Sequence, residues 1–187
     1  MKDLGTKRLE TDRLILRKFE MNDVEELFYR GYITDEVMAE NLSWDPCKTI
    51  EEQRAVIQDW VNKYDNPDFY KWLIERKDTH ELIGGIDICN LYKGPRKNYG
   101  EVGYCIGSKY WNNGYATEAL RKVLEYLLLE CDFHLVEAHY AAYNPASGRV
   151  MEKAGMTKDG ELRERRFDKE TGTYTTQIYY SILKDEL

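Results

Sequence analysis

The chain opens with a stretch in which charged and apolar residues alternate, and this pattern returns further along. "RLILRKF" at 13–19 predicts a first strand, and "FYKWLIERK" at 69–77 alternates in the same way. A short turn at 79–81 and a β-rich run at 82–92 indicate that the second strand continues into a hairpin. After a loop containing glycine and proline, "EVGYCIG" at 101–107 predicts another strand.

Two helices are predicted between the first two of these strands. Asn22 and Asp23 offer caps for a helix that extends to about Tyr32. Thr49 and Glu52 have the spacing of a capping box for the second helix. Apolar residues of that helix recur every three or four positions, at Val56, Ile57, Trp60, Val61 and Tyr64.

From Gly114 onward the apolar period changes from that of a strand to that of a helix. The apolar stripe consists of Ala116, Ala119, Leu120, Val123, Leu124, Leu127 and Leu128. It predicts a helix of about 16 residues, roughly 24 Å long. The segment 134–143, "HLVEAHYAAY", then predicts a strand.

The last part of the chain predicts a short helix and two strands. Asn144 suits the N-cap of the helix, Pro145 its first position and Gly155 the position after its end. The segments 156–164 and 173–183 have strand-like composition. The whole order predicts a mixed α/β fold in which helices pack on a central sheet.

Composition limits the class of protein. With 187 residues, 42% of them hydrophobic and 33% charged, the chain has the size and balance of one globular domain over 1–187. Its net charge of -7 repels phosphate backbones, so nucleic acid is not an expected partner. No apolar run is long enough to span a membrane, and the charged first residues do not have the pattern of a secretory signal.

The cysteines and histidines suggest no metal centre. The cysteines, Cys47, Cys89, Cys105 and Cys131, lack paired spacing and are interpreted as buried thiols of a cytoplasmic protein. The histidines, His80, His134 and His139, are scattered, and we expect His134 and His139 only to pack or to face solvent. We therefore expect neither a metal nor a disulfide framework.

The segment "WNNGYATEA" at 111–119 suggests an anion site. The first amides of a helix lack partners within the helix and carry the positive end of its dipole, so a phosphate binds well there. Gly114 permits close backbone approach, and Asn112 and Asn113 tolerate left-handed geometry. An ordinary turn before a helix explains the same residues. The dinucleotide fingerprint GxGxxG and the phosphate loop GxxxxGK[ST] are both absent.

Three stretches in this order and spacing resemble the GNAT superfamily of N-acetyltransferases, in its RimJ/RimL-like branch. They are "EVGYCIG" (101–107), "YWNNGYATEALRKVLEYL" (110–127) and "NPASGRVMEKAGM" (144–156), and segments 9–19 and 162–183 also look like that branch. The resemblance implies a GNAT-like, mostly antiparallel sheet of about six to seven strands, splayed at the cofactor site, with helices on both faces.

The resemblance also implies acetyl-coenzyme A as cosubstrate. Gly114 and Ala116 match the small positions of the superfamily's pyrophosphate loop, and Trp111 stands at its Gln/Arg position. The implied contacts with the cofactor come from Tyr104, Cys105, Ile106, Trp111, Asn112, Asn113, Gly114, Tyr115, Ala116, Thr117, Asn144 and Ser147. Backbone groups of 104–106 would bind the pantetheine arm as an added strand would, and amides of 112–117 would bind the pyrophosphate.

Two residues are catalytic candidates, each with a structural alternative. Ser147 matches the serine of the branch's "NxxS" motif, which implies a general acid, although it is equally suited to bond the preceding turn. Glu101 matches the branch's "E-[IV]-G-Y" pattern and is the candidate base, acting directly or through water, although a strand-end ion pair explains it too. Tyr104 is a rival base. Asn144 is expected to cap its helix or to bind the pantetheine amide.

Other positions bear on the acceptor. Glu118 matches the family's "ATEA", but an acid in the first helical turn is interpreted as structural. Thr176 stands where the branch often has an acidic residue, so acceptor choice is expected to differ. The aromatic-rich regions 41–46 and 68–72 are candidates either for lining the acceptor cleft or for covering the core.

The combined prediction is a cytoplasmic, acetyl-CoA-dependent N-acetyltransferase that acts on a primary amine by direct attack on the thioester. The favoured acceptor is a protein N-terminal α-amino group of the ribosomal-protein type. A small amine (a polyamine, an amino acid or an antibiotic) is the alternative within enzymes, and a non-catalytic acyl-CoA-binding domain is the alternative outside them. A homodimer is left open.

Overall fold

A computed structural model describes residues 1–40, 42, 45–168 and 171–187. Within them, eight strands form one sheet in the order β1-β2-β3-β4-β5-β6-β8-β7. The strands are β1 (Leu9–Glu10), β2 (Leu14–Arg17), β3 (Lys71–Arg76), β4 (Leu82–Gly94), β5 (Lys97–Ile106), β6 (Leu135–Ala141), β7 (Thr157–Asp168) and β8 (Thr173–Leu183). All neighbours are antiparallel except β5 and β6, which are parallel.

Five α-helices accompany the sheet in the described residues. They are α1 (Val24–Tyr29), α2 (Glu36–Ala39), α3 (Ile50–Lys63), α4 (Tyr115–Glu125) and α5 (Pro145–Ala154). Four short 3₁₀ turns join them, at Met21–Asp23, Tyr32–Thr34, Ser108–Tyr110 and Lys184–Glu186. Helix α4 continues as a π-turn over Tyr126–Glu130, so the predicted helix length is right although its last turn is wider.

Helices cover both faces of the sheet, as predicted. On one face, the apolar stripe of α4 and the inner side of α5 pack on β2 to β6 and β8. That core includes Leu120, Leu124, Val102, Val136 and Ile182. On the other face, α1 and α3 pack around Phe19, Leu27, Ile57 and Leu73. The sheet is therefore buried on both sides, which explains why three adjacent residues of β3, at 72–74, are all apolar and buried.

The strand count differs slightly from the prediction. Leu9–Glu10 pairs with β2 as a two-residue strand too short for alternation to reveal, which raises the count to eight. The predicted loop at 93–98 is also wrong, because β4 and β5 continue to a two-residue turn at Pro95 and Arg96. Tyr92 and Tyr99 stack there at 4.4 Å between ring centroids, which supports the longer hairpin.

The first predicted helix is too long. Helix α1 ends at Tyr29, and Tyr32 belongs to a separate 3₁₀ turn. The chain leaves the helix at Gly31, where a Cβ would lie 2.6 Å from the Cα of Leu27. The carboxylate of Asp23 caps differently from expectation: it accepts from the amide of Glu20 at 2.8 Å and from the guanidinium of Arg17.

The capping box predicted for α3 is confirmed. Thr49 Oγ1 accepts from the amide of Glu52 at 3.2 Å, and the Glu52 carboxylate accepts from the amide of Thr49 at 3.3 Å.

The interpretation of the cysteines needs correction. All four thiols are free, but the expectation that they are buried holds only for one of them. Cys131 is buried, Cys47 and Cys105 are half-buried, and Cys89 is exposed.

Candidate active site

The parallel strands β5 and β6 separate in the middle of the sheet. Their residues pair only from Tyr99 with Leu135 to Glu101 with Glu137. Beyond that point β5 stays paired with β4 as far as Ile106, while β6 stays paired with β8. The result is a V-shaped gap whose apex lies at Glu101, which confirms the predicted splay. Backbone groups on the gap side of β5 beyond Glu101 have no strand partner among the described residues.

The mouth of the gap is formed by the loop between β5 and α4. Asn112 and Gly114 have left-handed backbones, with φ of 62° and 80°. The side-chain amide of Asn113 donates to the carbonyl oxygens of Tyr110 and Trp111 at 3.1 and 2.9 Å, which holds the turn. In the part of the chain that the structure describes, the amides of Tyr115, Ala116 and Thr117 have no acceptor. Three converging N–H groups therefore remain available for an anion.

The role of Trp111 follows from its indole nitrogen. Nε1 donates to the carbonyl oxygen of Ile106 at 2.6 Å, at the last residue of β5. The ring remains 42% exposed beside the mouth of the gap. Trp111 thus ties the end of the strand to the loop, and part of its ring stays exposed to solvent.

Glu118 anchors the first turn of α4 to the strands beside it. Its carboxylate accepts from the Thr11 hydroxyl at 2.5 Å and from the Arg13 Nε at 2.7 Å. Burial raises the pKa of Glu118, but the hydrogen bonds from Thr11 and Arg13 outweigh it and hold the pKa below its ordinary value. The same Arg13 also donates to the carbonyl oxygen of Asn113 at 3.0 Å. These contacts support the structural role expected of Glu118.

Helix α5 brings Ser147 to one side of the gap. The helix has Pro145 in its first turn and left-handed Gly155 at its end, with φ of 99°, as predicted. Ser147 is half-buried, and its hydroxyl accepts from the side-chain amide of Asn144 at 3.2 Å. Asn144 occupies the N-cap position, but its side-chain oxygen accepts no capping hydrogen bond, and its NH2 group donates to Ser147. The expected side-chain cap is therefore wrong.

Tyr104 lies on the same side of β5 as Ser147 and is tied to it. Its hydroxyl donates to the Ser147 carbonyl oxygen at 2.9 Å. Burial raises the pKa of Tyr104 well above its ordinary value. A phenol that stays protonated and donates to a carbonyl is poorly placed as a base, so Tyr104 is a weaker candidate base than Glu101. The neighbouring Cys105 and Ile106 pack into the two cores and can offer the gap only backbone groups.

The apex of the gap holds a cluster from three strands. Glu101 on β5 is only 14% exposed; its Oε2 accepts from the Asn90 amide of β4 at 3.0 Å. Its Oε1 lies 3.2 Å from Nδ1 of His139 on β6, although the direction is poor for a hydrogen bond. His139 is the main cause that lowers the pKa of Glu101, and Asn90 adds to it, whereas burial opposes them. The short contact with His139 thus favours the ionised form of the carboxylate.

His139 is a residue that reasoning from the sequence missed. We expected it to pack or to face solvent, and it does pack, stacked on Tyr179 at 4.9 Å between ring centroids, but it also contacts Glu101. Alternation along β6 puts it on one face with Glu137. The register of β6 against β5, which brings it beside Glu101, is a tertiary property that no local pattern signals.

The other acceptor-side predictions have mixed outcomes. In the region 68–72, Tyr70 and Trp72 are fully buried in the core, so these two rings cover the core and do not line a cleft. In the region 41–46, residues 41, 43 and 44 lie outside the described residues. Thr176 is half-buried on β8, and its carbonyl oxygen accepts from the amide of Ala142 at 3.0 Å.

The described residues offer neither a metal-binding cluster nor a membrane-spanning helix. Among the described residues, no group of three or more His, Cys, Asp or Glu side chains is arranged to hold a metal ion. No helix in the same ranges is long and apolar enough to cross a membrane.

Comparison with known proteins identifies the family. A family model described as an acetyltransferase (GNAT) domain matches residues 13–157. The chain belongs to the GNAT family of acetyltransferases. It is 36% identical to the uncharacterized N-acetyltransferase YoaA of Bacillus subtilis over 176 residues, 94% of this chain and 96% of the relative. The predicted enzyme class, an N-acetyltransferase, is therefore confirmed.

Two further similarities bear on the branch and the fold of this GNAT protein. It is 27% identical to the ribosomal protein uS5-alanine N-acetyltransferase of Escherichia coli, over 84% of this chain and 81% of that one. A GNAT acetyltransferase structure from Bacillus anthracis superposes with a TM-score of 0.79 at 26% identity, covering 96% of this chain and 99% of the other. The RimJ/RimL-like resemblance and the fold class are thus both confirmed.

Proposed function

We propose that this GNAT protein transfers an acetyl group from acetyl-CoA to a primary amine, and that the acceptor is a protein N-terminal α-amino group. The observation that carries the proposal is the gap between β5 and β6, which has free amides at its mouth and an ionised carboxylate at its apex. An extended ligand with a phosphate end and a reactive end fits this arrangement.

The described residues fit acetyl-CoA as the donor. Amides over 112–117 would hold the pyrophosphate, since they lack protein acceptors and two of these residues, Asn112 and Gly114, have left-handed backbones. The unpaired edge of β5 over Tyr104–Ile106 would bind the pantetheine amides as an added strand does. Asn144, whose side-chain oxygen is not used as a cap, would support the same arm. When bound, acetyl-CoA supplies an activated acetyl group at the apex.

Glu101 and Ser147 approach the gap from opposite faces of the sheet. Glu101 and Tyr104 are three residues apart on β5, so their side chains lie on opposite faces of the sheet. The Tyr104 hydroxyl donates to the Ser147 carbonyl oxygen on the α5 side. Glu101 would attract the ammonium form of the acceptor and assist the loss of its proton. Ser147 would supply a proton to the departing thiolate. Different residues would therefore assist the two proton transfers, Glu101 at the amine and Ser147 at the thiolate.

Two arguments favour an α-amino group as the acceptor: the pKa of the amine and the name of a relative. An α-amino group has a pKa near 8 and a lysine amine near 10.4, so at pH 7.5 roughly a quarter of the former is neutral, against about 0.1% of the latter. A modest base therefore suffices for an N-terminus. The relative from Escherichia coli, by its name, acetylates an alanine of a ribosomal protein. We also propose that the protein works in the cytoplasm, where four free thiols are expected to persist.

One observation favours a small cationic amine as the second candidate. Glu101 and Glu137 are paired in register on parallel strands and share one face of the sheet. Burial raises the pKa of Glu137, and the charge of Glu101 raises it further. Two half-buried carboxylates side by side would suit an acceptor with more than one positive charge.

The experiment is a thiol-release assay with acetyl-CoA and a panel of acceptors. Peptides with a free N-terminal alanine or serine should react at least about 100 times faster, in kcat/KM, than the same peptides with blocked N-termini and a free lysine. Faster turnover of diamines than of any peptide would replace the favoured acceptor by the second candidate. Thermal stabilisation by acetyl-CoA without thiol release would indicate a silent binder, and absence of stabilisation would remove the donor.

A further inference from the structure

We propose that His139 is the group that removes the proton from the acceptor ammonium, and that Glu101 is its positioning residue. The inference rests on the proposed function, and it assigns to the imidazole the step that Glu101 only assists. It is carried by the placement of His139 in the sheet, by its contacts with Glu101 and Tyr179, and by the chemistry of a carboxylate beside an imidazole.

The placement of His139 brings it to the point where the reaction must occur. β5 and β6 separate after Glu101 and Glu137, and His139 is the second residue of β6 beyond that pair. By alternation it shares a face with both carboxylates. Its side chain is 24% exposed, so the ring is enclosed on most sides and open on one. A group in the widening gap therefore passes directly beside the ring.

The contacts of His139 fix the ring in one orientation. One face stacks on Tyr179 of β8, with ring planes 23° apart. Nδ1 is buried and lies 3.2 Å from Glu101 Oε1, while Asn90 holds the other carboxylate oxygen. Nε2 has no hydrogen-bond partner within the described residues. Unlike Nδ1, it is not buried. Nε2 is therefore the nitrogen that remains for a ligand.

A carboxylate beside Nδ1 favours the tautomer with the proton on that nitrogen. Nε2 is then left with its lone pair, as a base requires. The charged and titratable groups that face the ring are Glu101 on β5, Glu137 on its own strand and Tyr179 on β8, with Arg165 of β7 beyond Tyr179. Two of these are carboxylates that stabilise the imidazolium formed when Nε2 takes a proton.

The step balances without any further reactant. Nε2 takes one proton from the ammonium, and the neutral amine attacks the carbonyl carbon of the thioester. The carbon–nitrogen bond forms as the carbon–sulfur bond breaks, and the electron pair of that bond leaves with sulfur. The second proton of the nitrogen passes to the thiolate, directly or by way of the Ser147 hydroxyl. The imidazolium then returns its proton to solvent.

The test compares His139→Gln with His134→Gln, a matched change at an exposed position just before β6. Both variants are assayed with acetyl-CoA and an N-terminal peptide from pH 6 to 9.5. His139→Gln should lose at least about 50-fold in kcat/KM at pH 7 and recover as pH rises past the acceptor's pKa, since only an already neutral amine then reacts. His134→Gln should match the wild type throughout.

Two further readouts separate proton transfer from a structural effect. Free imidazole added to His139→Ala should restore part of the turnover, whereas it should not affect His134→Ala. Carbon NMR of the Glu101 carboxyl group should show its pKa rising in His139→Gln, because His139 is the main cause that lowers it, and unchanged in His134→Gln. Acetyl-CoA stabilisation of both variants verifies that they fold.

The outcomes distinguish this inference from the proposed function. A wild type that releases no thiol with any acceptor removes both. An active wild type together with a His139→Gln variant of the same rate and pH profile removes His139 from the reaction and leaves the proposed function standing. A rate loss that is equal at every pH and insensitive to imidazole would likewise overturn proton transfer by His139.

Discussion

The mouth and the apex of the gap between β5 and β6 are built in different ways. The mouth, residues 107–117, presents backbone amides held in place mainly by a left-handed turn and by contacts within the same segment, with one further hydrogen bond from Arg13 to the Asn113 carbonyl oxygen. The apex presents the side chains of Asn90, Glu101 and His139, which come from three strands. Binding at the mouth therefore depends on the path of one short segment, whereas chemistry at the apex depends on the register of distant strands.

This difference predicts opposite sensitivities. At the mouth, a change of backbone conformation should matter more than a change of side chain, because in the proposed function N–H groups bind the anion. At the apex, the loss of one functional group should slow the reaction while donor affinity is retained. The following changes test the comparison, from the largest expected effect to the smallest.

Gly114→Val should cause the largest change. A branched side chain at φ 80° is strained by about 1–2 kcal/mol and would turn amides away from the donor. We expect the KM for acetyl-CoA to rise by about 100-fold, as loss of a hydrogen bond to a charged group predicts. Gly172→Val is the matched control, since Gly172 also has positive φ, 65°, but lies in the β7–β8 turn. Equal KM values for the two variants would contradict the amide role.

Ser147→Ala should have an intermediate effect confined to turnover. We expect kcat to fall by about 10-fold, because solvent can replace the hydroxyl as proton source only in part. The KM for acetyl-CoA should stay within about twofold if the hydroxyl acts mainly in the transition state. Steady-state kinetics at saturating acceptor measure both.

Tyr104→Phe is the companion variant, because it removes the hydrogen bond to the Ser147 carbonyl oxygen and keeps the serine hydroxyl. Its kcat should remain within about twofold of the wild type, with an unchanged pH profile. If Tyr104→Phe were slower than Ser147→Ala, the phenol would be the more important group and the assignment would have to be reversed.

Glu118→Gln should have the smallest kinetic effect and a measurable effect on stability. The variant weakens the bonds to Thr11 and Arg13, so the free energy of unfolding at pH 7 should fall by about 1–2 kcal/mol, with kcat within about twofold. The pKa of Glu118 is lowered in the folded state. Its contribution is therefore present above the unfolded pKa, about 4.3, and is lost as pH falls through the folded value.

Urea unfolding at pH 7 and at about pH 3 measures this difference, which should shrink at the lower pH. Glu125→Gln on the same helix is the control, since Glu125 is half exposed and, among the described residues, pairs only with Lys122 three residues before it. A stability gap between Glu118→Gln and wild type that is constant with pH would contradict the electrostatic explanation.

The success of the sequence predictions follows the range of the interactions involved. The capping box at Thr49 and Glu52, the stripe of α4 and the glycine after α5 depend on residues a few positions apart, and all are confirmed. The end of α1 was wrong because the chain turns at Gly31 against Leu27. The expected side-chain cap at Asn144 was wrong: its oxygen caps no amide, and its NH2 group bonds to Ser147.

The sequence by itself determined the mouth of the site. A turn with asparagine and glycine before an amphipathic helix can be recognised locally, because left-handed backbone and unpaired amides are properties of neighbouring residues. Only the tertiary structure decided the apex. His139 meets Glu101 because β5 and β6 pair in parallel for three residues and then separate, and such a register is set by the packing of both cores against the sheet.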